Sequence, residues 1–243
     1  MIVDSTALPE QVIDDVVASS FRSAGQRCSA LRVLFVQHEV AGRILAMLAG
    51  ALDELRIGDP VLVETDVGPV IGGDAKASLE AHAAAMGRLG RLVRESALPP
   101  ECRHGTFFAP RAFEIESLAP LEREVFGPIL HVITYSADRL DAVIDAVNGI
   151  GYGLTLGIHS RINATQRTIH ARLKVGNAYV NRNMIGAVVG VQPFGGEGLS
   201  GTGPKAGGPR YLYRFATERA LSINTAATGG DARLLSLAEE DAD

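Results

Sequence analysis

The chain has no tryptophan, two cysteines in 243 residues, and aromatic residues at 5%. Two cysteines build no disulfide framework, which points to a reducing, cytoplasmic compartment. Sparse aromatics leave no stacking platform for nucleobases. There is no lysine- or arginine-rich block and the formal net charge is -5, so the electrostatic footprint of a nucleic-acid binder is missing. No apolar run reaches the length of a membrane span. The opening MIVDSTALPEQ lacks the basic-then-apolar pattern of a secretory signal. His38, His82, His104, His131, His159 and His170 are scattered with no i, i+4 pair and no ligand spacing, so no metal site is expected.

What is present is a chain 47% hydrophobic and 21% charged, enough for one large globular domain or one domain with an appendage. Met1-Ile2-Val3 reads as the end of a strand. Pro9 and Glu10 suit a helix start, and Val12, Val16, Val17 and Phe21 give that helix an apolar face that Gly25 terminates. Strands are expected at 31–37, 89–94, 129–135, 154–159 and 177–180, with helices at 39–52, 74–88, 140–148 and 164–173. Strands alternating with helices predict an α/β fold with a doubly wound parallel sheet. From Gly186 the chain turns glycine-rich and loses periodicity, which predicts one long ordered loop over 186–209 and a short helix around 209–216. Residues 218–225 read as a last strand, and 229–243 as an acidic, frayed tail.

Cys28 lies in Ser23-Ala24-Gly25-Gln26-Arg27-Cys28-Ser29-Ala30, at the joint between a helix and a strand. Such a joint can present sulfur at a sheet edge. A neighbouring cation favours the thiolate if it faces the sulfur, and Arg27 is adjacent in sequence. Thiolate is the form that attacks carbonyl carbon. Taken alone, Cys28 reads more readily as a small buried core residue than as a nucleophile. Glu124 alone reads as a solvated turn residue, Phe126 and Phe215 as core, Ser29 as a turn residue bonding nearby backbone, and Gly207-Gly208 as a turn.

Three stretches change that balance: Gly25-Gln26-Arg27-Cys28, Glu124-Val125-Phe126-Gly127-Pro128, and Pro193-Phe194-Gly195-Gly196 followed by Ser200-Gly201. In this order and spacing the chain resembles the aldehyde dehydrogenase superfamily over essentially its whole length. Within it the match is to the L-glutamate γ-semialdehyde (1-pyrroline-5-carboxylate) dehydrogenases, including those that end bifunctional proline-utilisation flavoproteins. The resemblance implies a catalytic domain over 1–216 that carries a substrate-anchor loop at 186–209, followed by an oligomerisation strand at 217–228. It implies that Cys28 is the nucleophile that forms a thiohemiacetal, with its backbone N–H in an oxyanion hole. It implies that Glu124 holds the ribose of NAD and Phe126 packs near the same ring. Ser29, Gly207 and Gly208 would anchor the distal carboxylate of a small aldehyde, and Phe215 would pack beside its aliphatic part.

Elementary chemistry is consistent with those roles. A diglycine backbone lets N–H groups converge on an anion. A hydroxyl beside the nucleophile supplies a further donor. Holding both ends of a short substrate fixes the aldehyde over sulfur. In the family the dinucleotide-binding half, an oxyanion-hole asparagine and the general-base glutamate precede this segment. The cofactor-binding domain is therefore expected to be absent here, and the chain to act as a segment that does not turn over alone. The competing readings are a non-catalytic oligomerisation or interaction module, a dehydrogenase for another aldehyde, and a cysteine hydrolase whose histidine base nothing in the sequence identifies.

Overall fold

A computed structural model describes residues 1–188 and 190–224. The chain divides into two units, Met1–Gly208 and a second one from Pro209 onward.

In the first unit, β1 (Ile2–Val3) leads into helix α1 (Pro9–Phe21), where Pro9 occupies the first turn and Glu10 sits at the positive end of the helix dipole. The helix buries Val12, Ile13, Val16 and Phe21. Then come β2 (Val33–Gln37), α2 (His38–Glu54), α3 (Gly73–Leu89), β3 (Arg91–Glu95), β4 (Arg111–Glu114), β5 (Ile129–Tyr135) and α4 (Leu140–Gly149). The unit finishes with β6 (Tyr152–Gly153), β7 (Thr155–His159), α5 (Asn163–Arg172), β8 (Asn177–Val180) and β9 (Glu197–Gly198).

Seven strands form one sheet in the order β3-β4-β5-β2-β1-β7-β8. All neighbours run parallel except β3 and β4. The chain moves from β1 to β2, out to the β3 edge, back through β4 and β5, and then crosses to the far side of β1 for β7 and β8. That reversal makes the sheet doubly wound, as the alternation of elements predicts. The central strands are apolar because both faces are covered: Ile2, Val3, Leu34, Phe35 and Val36 are buried. Each of α2, α3 and α4 buries one stripe, with Ile44, Leu48 and Leu52 on α2, Leu79, Ala83 and Met86 on α3, and Val143 and Ile144 on α4.

The strand expected from residue 89 begins at Arg91, because α3 runs through Leu89. The β6–β9 pair has no counterpart in the sequence reading; two-residue strands carry too little pattern to be seen. In the second unit, Tyr211–Phe215 form a 3-10 turn in the region expected to be helical. Residues 217–224, read from the sequence as strand, are in no strand within the chain, and 225–228 and the acidic tail at 229–243 lie outside the described residues. Among the described residues no helix is long and apolar enough to cross a membrane.

Candidate active site

The nucleophile candidate is delivered by a backbone device at the end of α1. Ser23, Ala24 and Gly25 take φ values of 58°, 52° and 63°, three left-handed residues in succession. Two of them carry a Cβ, so the turn is strained, a feature that clusters at functional sites. The turn reverses the chain off the helix, and Cys28 follows in a loop with its side chain exposed. The loop is fastened at several points. Ala30 N–H donates to the Arg27 carbonyl at 3.1 Å, and Leu31 N–H to the Ser19 carbonyl at 2.9 Å. The Gln26 amide donates to the Pro69 carbonyl at 3.4 Å and accepts from Ile71 N–H at 2.7 Å.

The other half of the site is the segment entering β5. It meets the cysteine loop backbone to backbone. A Cβ on Gly25 would lie 2.2 Å from the Gly127 carbonyl oxygen, and one on Gly127 would lie 2.3 Å from the Leu79 side chain. Two motifs about a hundred residues apart thus meet through Gly25, which tolerates no side chain while the loops touch, whereas a side chain at Gly127 would press on Leu79 of α3.

Arg32, four residues after Cys28, locks the same junction from its side chain. Its Nε lies 3.4 Å from Glu124 Oε1, Nη1 donates to the Gly127 carbonyl at 3.0 Å, and Nη2 donates to the Arg27 carbonyl at 3.2 Å. The guanidinium also stands 5.0 Å from the centroid of Phe126. Burial holds Arg32 below the ordinary guanidinium range, and the nearby Glu124 carboxylate and Cys28 pull in the opposite direction. Arg27, the cation adjacent in sequence, donates its Nε to Ser23 Oγ at 3.0 Å. Arg32 reaches the carbonyl just before Cys28 and lines the same cavity as the sulfur.

These loops wall a cavity of about 410 Å³ at the amino ends of β1, β2, β5 and β7, lined by Met1, Arg32, His131 and Thr155 at those strands and by Cys28 and Glu124 above them. Doubly wound sheets usually bind ligands at the carboxyl ends of their strands. Here the cysteine loop precedes β2, and the site moves to the opposite end with it. Glu124 keeps 30% of its side chain exposed, and Phe126 is 44% exposed. A carboxylate anchored by one oxygen on Arg32 and open on the other can accept from a sugar diol, and the free face of Phe126 can take a flat ring, so this pair fits a dinucleotide. Ser29 is buried, with its carbonyl accepting from Thr155 Oγ1 at 3.4 Å, and it does not line the cavity.

Beneath Arg32 lies a histidine pair that the sequence, which sets them 49 positions apart, does not announce. His131 Nδ1 meets the Arg32 carbonyl at 2.9 Å, which only accepts, so Nδ1 carries the proton and Nε2 the lone pair. His82 Nε2 then donates to it at 2.9 Å. Burial pushes His131 down to about 4 and lowers His82 as well, so both rings are neutral. With both nitrogens engaged, His131 has no lone pair left to act as a base for Cys28.

The glycine-rich loop is ordered by β8. The Asn177 amide donates to the Pro193 carbonyl at 2.9 Å and accepts from Gly195 N–H at 3.2 Å, so one side chain extends the strand's pairing into the loop. Gly176 packs so closely that an added Cβ would lie 1.7 Å from the Gly195 carbonyl. Lys205 Nζ donates to the Gly176 carbonyl, and Phe194 and Ala206 exchange backbone hydrogen bonds at 3.0 Å each. Gly207 adopts φ 70° with open space where a side chain would be. Gly208 N–H closes a turn on the Lys205 carbonyl at 3.1 Å, so it is already engaged. Phe215 belongs to the second unit, where it is exposed and stands edge-on to Tyr211 at 5.5 Å.

Residues 1–221 match the sequence model described as "Aldehyde dehydrogenase family". The chain is 55% identical to the bifunctional protein PutA of Escherichia coli (strain K12) over 93% of its own length and 18% of that protein. It is 34% identical to the 1-pyrroline-5-carboxylate dehydrogenase of Geobacillus sp. (strain WCH70), over 91% of this chain and 43% of the other. Among solved structures it resembles a variant of Bradyrhizobium japonicum proline utilization A, with TM-score 0.86 and 59% identity over 94% of this chain and 23% of that one. It also resembles a 1-pyrroline-5-carboxylate dehydrogenase from Thermus with bound NAD, with TM-score 0.81 and 33% identity over 88% of this chain and 41% of the other. The chain thus spans about a fifth of the bifunctional relatives and under half of the single-function ones.

Proposed function

Since the chain belongs to the aldehyde dehydrogenase family, we propose that it is the catalytic segment of an NAD-dependent enzyme oxidising L-glutamate γ-semialdehyde to L-glutamate in proline breakdown. The observation that carries this reading is Cys28, exposed on a cavity whose wall also bears Glu124. The relatives' names, proline utilization and 1-pyrroline-5-carboxylate dehydrogenase, supply the substrate.

In this reading the Cys28 sulfur, as thiolate, adds to the aldehyde carbon, and the carbonyl oxygen becomes an oxyanion that the Cys28 N–H stabilises. NAD, when bound, supplies the hydride acceptor. Glu124 and Phe126 hold its ribose and nicotinamide ends. The family resemblance assigns Ser29, Gly207 and Gly208 to the substrate's distal carboxylate and Phe215 to its aliphatic part; Ser29 is buried off the cavity, so the diglycine bend carries the anchor in this scheme. Gly208 N–H is committed to Lys205, so in this scheme it is shared with the carboxylate while Gly207 makes the open donor. Segment 217–228, with Leu221 and Ile223 exposed, is assigned to subunit contact. The chain works in the cytoplasm, in keeping with two unpaired cysteines. The chain spans under half of the single-function relatives, and in this reading the purified chain binds aldehyde covalently without sustained NAD reduction.

Alkylation of Cys28 by iodoacetamide, followed by peptide mass spectrometry, tests the reading. Glutamate semialdehyde should slow labelling in a saturable way, and propanal at the same concentration far less. Equal protection by both, or none, contradicts the substrate assignment.

A further inference from the structure

The residue that most directly joins the two halves of the site is one the proposed mechanism does not use. Arg32 touches the cysteine loop through the Arg27 carbonyl, the segment entering β5 through the Gly127 carbonyl, the Glu124 carboxylate, and the face of Phe126. All three of its nitrogens are spent on different partners, and only 17% of the side chain is exposed. Its main chain is held as firmly: the Arg32 carbonyl accepts from both His131 N–H at 3.0 Å and His131 Nδ1 at 2.9 Å. His82 on α3 backs that ring. The guanidinium therefore projects from a fixed base, and it cannot move without releasing both loops.

We propose that Arg32 is a positioning residue that sets Cys28 and Glu124 in one frame and supplies the positive field at the sulfur. The inference rests on the assignment of Cys28 as nucleophile. Three contacts make the frame, and they are of kinds that only a planar, forked cation makes together: two carbonyls and a carboxylate in one plane, with an aromatic ring below it. The field follows from charge. Arg32 Nη2 bonds the carbonyl of the residue just before Cys28, and Arg32 and Cys28 line the same cavity. Glu124 partly neutralises the guanidinium, so the field at sulfur depends on where that carboxylate sits. A group that draws Glu124 away, such as a sugar diol, would leave more of the charge for the sulfur.

The test compares alkylation of Cys28 by anionic iodoacetate and neutral iodoacetamide. The ratio of the two rates reports the local potential and cancels general changes in exposure. Cys28→Ser provides the background from Cys102. A unit charge several ångströms away through a largely aqueous path changes such a ratio by about threefold. Arg32→Met should lower the ratio by that factor, Arg32→Lys should restore it, and Glu124→Gln should raise it. Arg32→Lys retains the charge but loses the fork, so hydrogen exchange of amides 122–127 should speed up in both arginine variants. A folded Arg32→Met with an unchanged ratio overturns the proposal. So does an unchanged ratio in Glu124→Gln, which decides the matter should Arg32→Met fail to fold. A wild-type Cys28 that reacts with neither reagent overturns the nucleophile assignment itself.

Discussion

Gly25→Ala probes the contact on which the site's geometry depends. The new methyl meets two penalties. At φ 63° a residue with a Cβ costs about 1 kcal/mol or more relative to glycine. The methyl would also lie 2.2 Å from the Gly127 oxygen, 2.6 Å from its carbon and 2.8 Å from the Ser20 carbonyl oxygen. All three atoms are backbone, so no rotamer change relieves the overlap and the loops must part by about an ångström. Overpacking of this kind costs about 1–3 kcal/mol. Together the loss is about 3 kcal/mol, which at a urea slope of ~2 kcal/mol per molar moves the midpoint down by about 1.5 M. Gly42→Ala is the control: it lies exposed inside α2 with no atom within 4 Å of the added methyl, and should stabilise by about 0.5–1 kcal/mol. Equilibrium urea unfolding followed by circular dichroism gives both numbers. A Gly25→Ala midpoint within error of wild type, or shifted upward like Gly42→Ala, would refute the claim that these motifs meet backbone to backbone.

Acidification should destabilise the fold through His131. Its folded value of about 4 lies below the ordinary 6.5, so the stability it contributes is complete above 6.5 and is lost as pH falls from 6.5 towards 4. The full span amounts to about 3 kcal/mol, and His131→Asn should reduce the slope of the stability–pH curve in that window, leaving the part due to buried His159, which is also pushed down to about 4. Asn177→Ala removes two hydrogen bonds to the glycine-rich loop, so amides 193–206 should exchange faster, by about fivefold for a loss near 1 kcal/mol, with α1 and α2 unaffected. Gly207→Leu should weaken protection of Cys28 by glutamate semialdehyde several-fold more than protection by propanal, because the strain at φ 70°, on the order of 1 kcal/mol, falls on the bend proposed to anchor the carboxylate.

Much of the scaffold can be read from residue patterns. Pro9, Glu10 and the Val12–Phe21 spacing define α1, and the apolar runs at 33–37 and 129–135 define the strands beside it. These features are local, and local pattern is what periodicity reports. The site is legible only as a set of motifs. That Gly25 packs on the Gly127 carbonyl, that Arg32 bonds both loops, and that His82 reaches His131 are all long-range facts. They depend on β2 and β5 lying side by side with Val33 opposite His131, a register no single segment encodes. The left-handed run at Ser23 and Ala24 runs against both residues' preferences, so propensity points away from it.

The central claim is that the sulfur of Cys28 bonds to the aldehyde carbon. Glutamate semialdehyde labelled with carbon-13 at the aldehyde position, mixed with the chain and observed by NMR, tests it directly. A bound resonance in the region of a carbon bearing sulfur and oxygen, present in wild type and absent in Cys28→Ser, is the predicted result. A bound aldehyde whose carbon remains trigonal, or the same new resonance in Cys28→Ser, would contradict it.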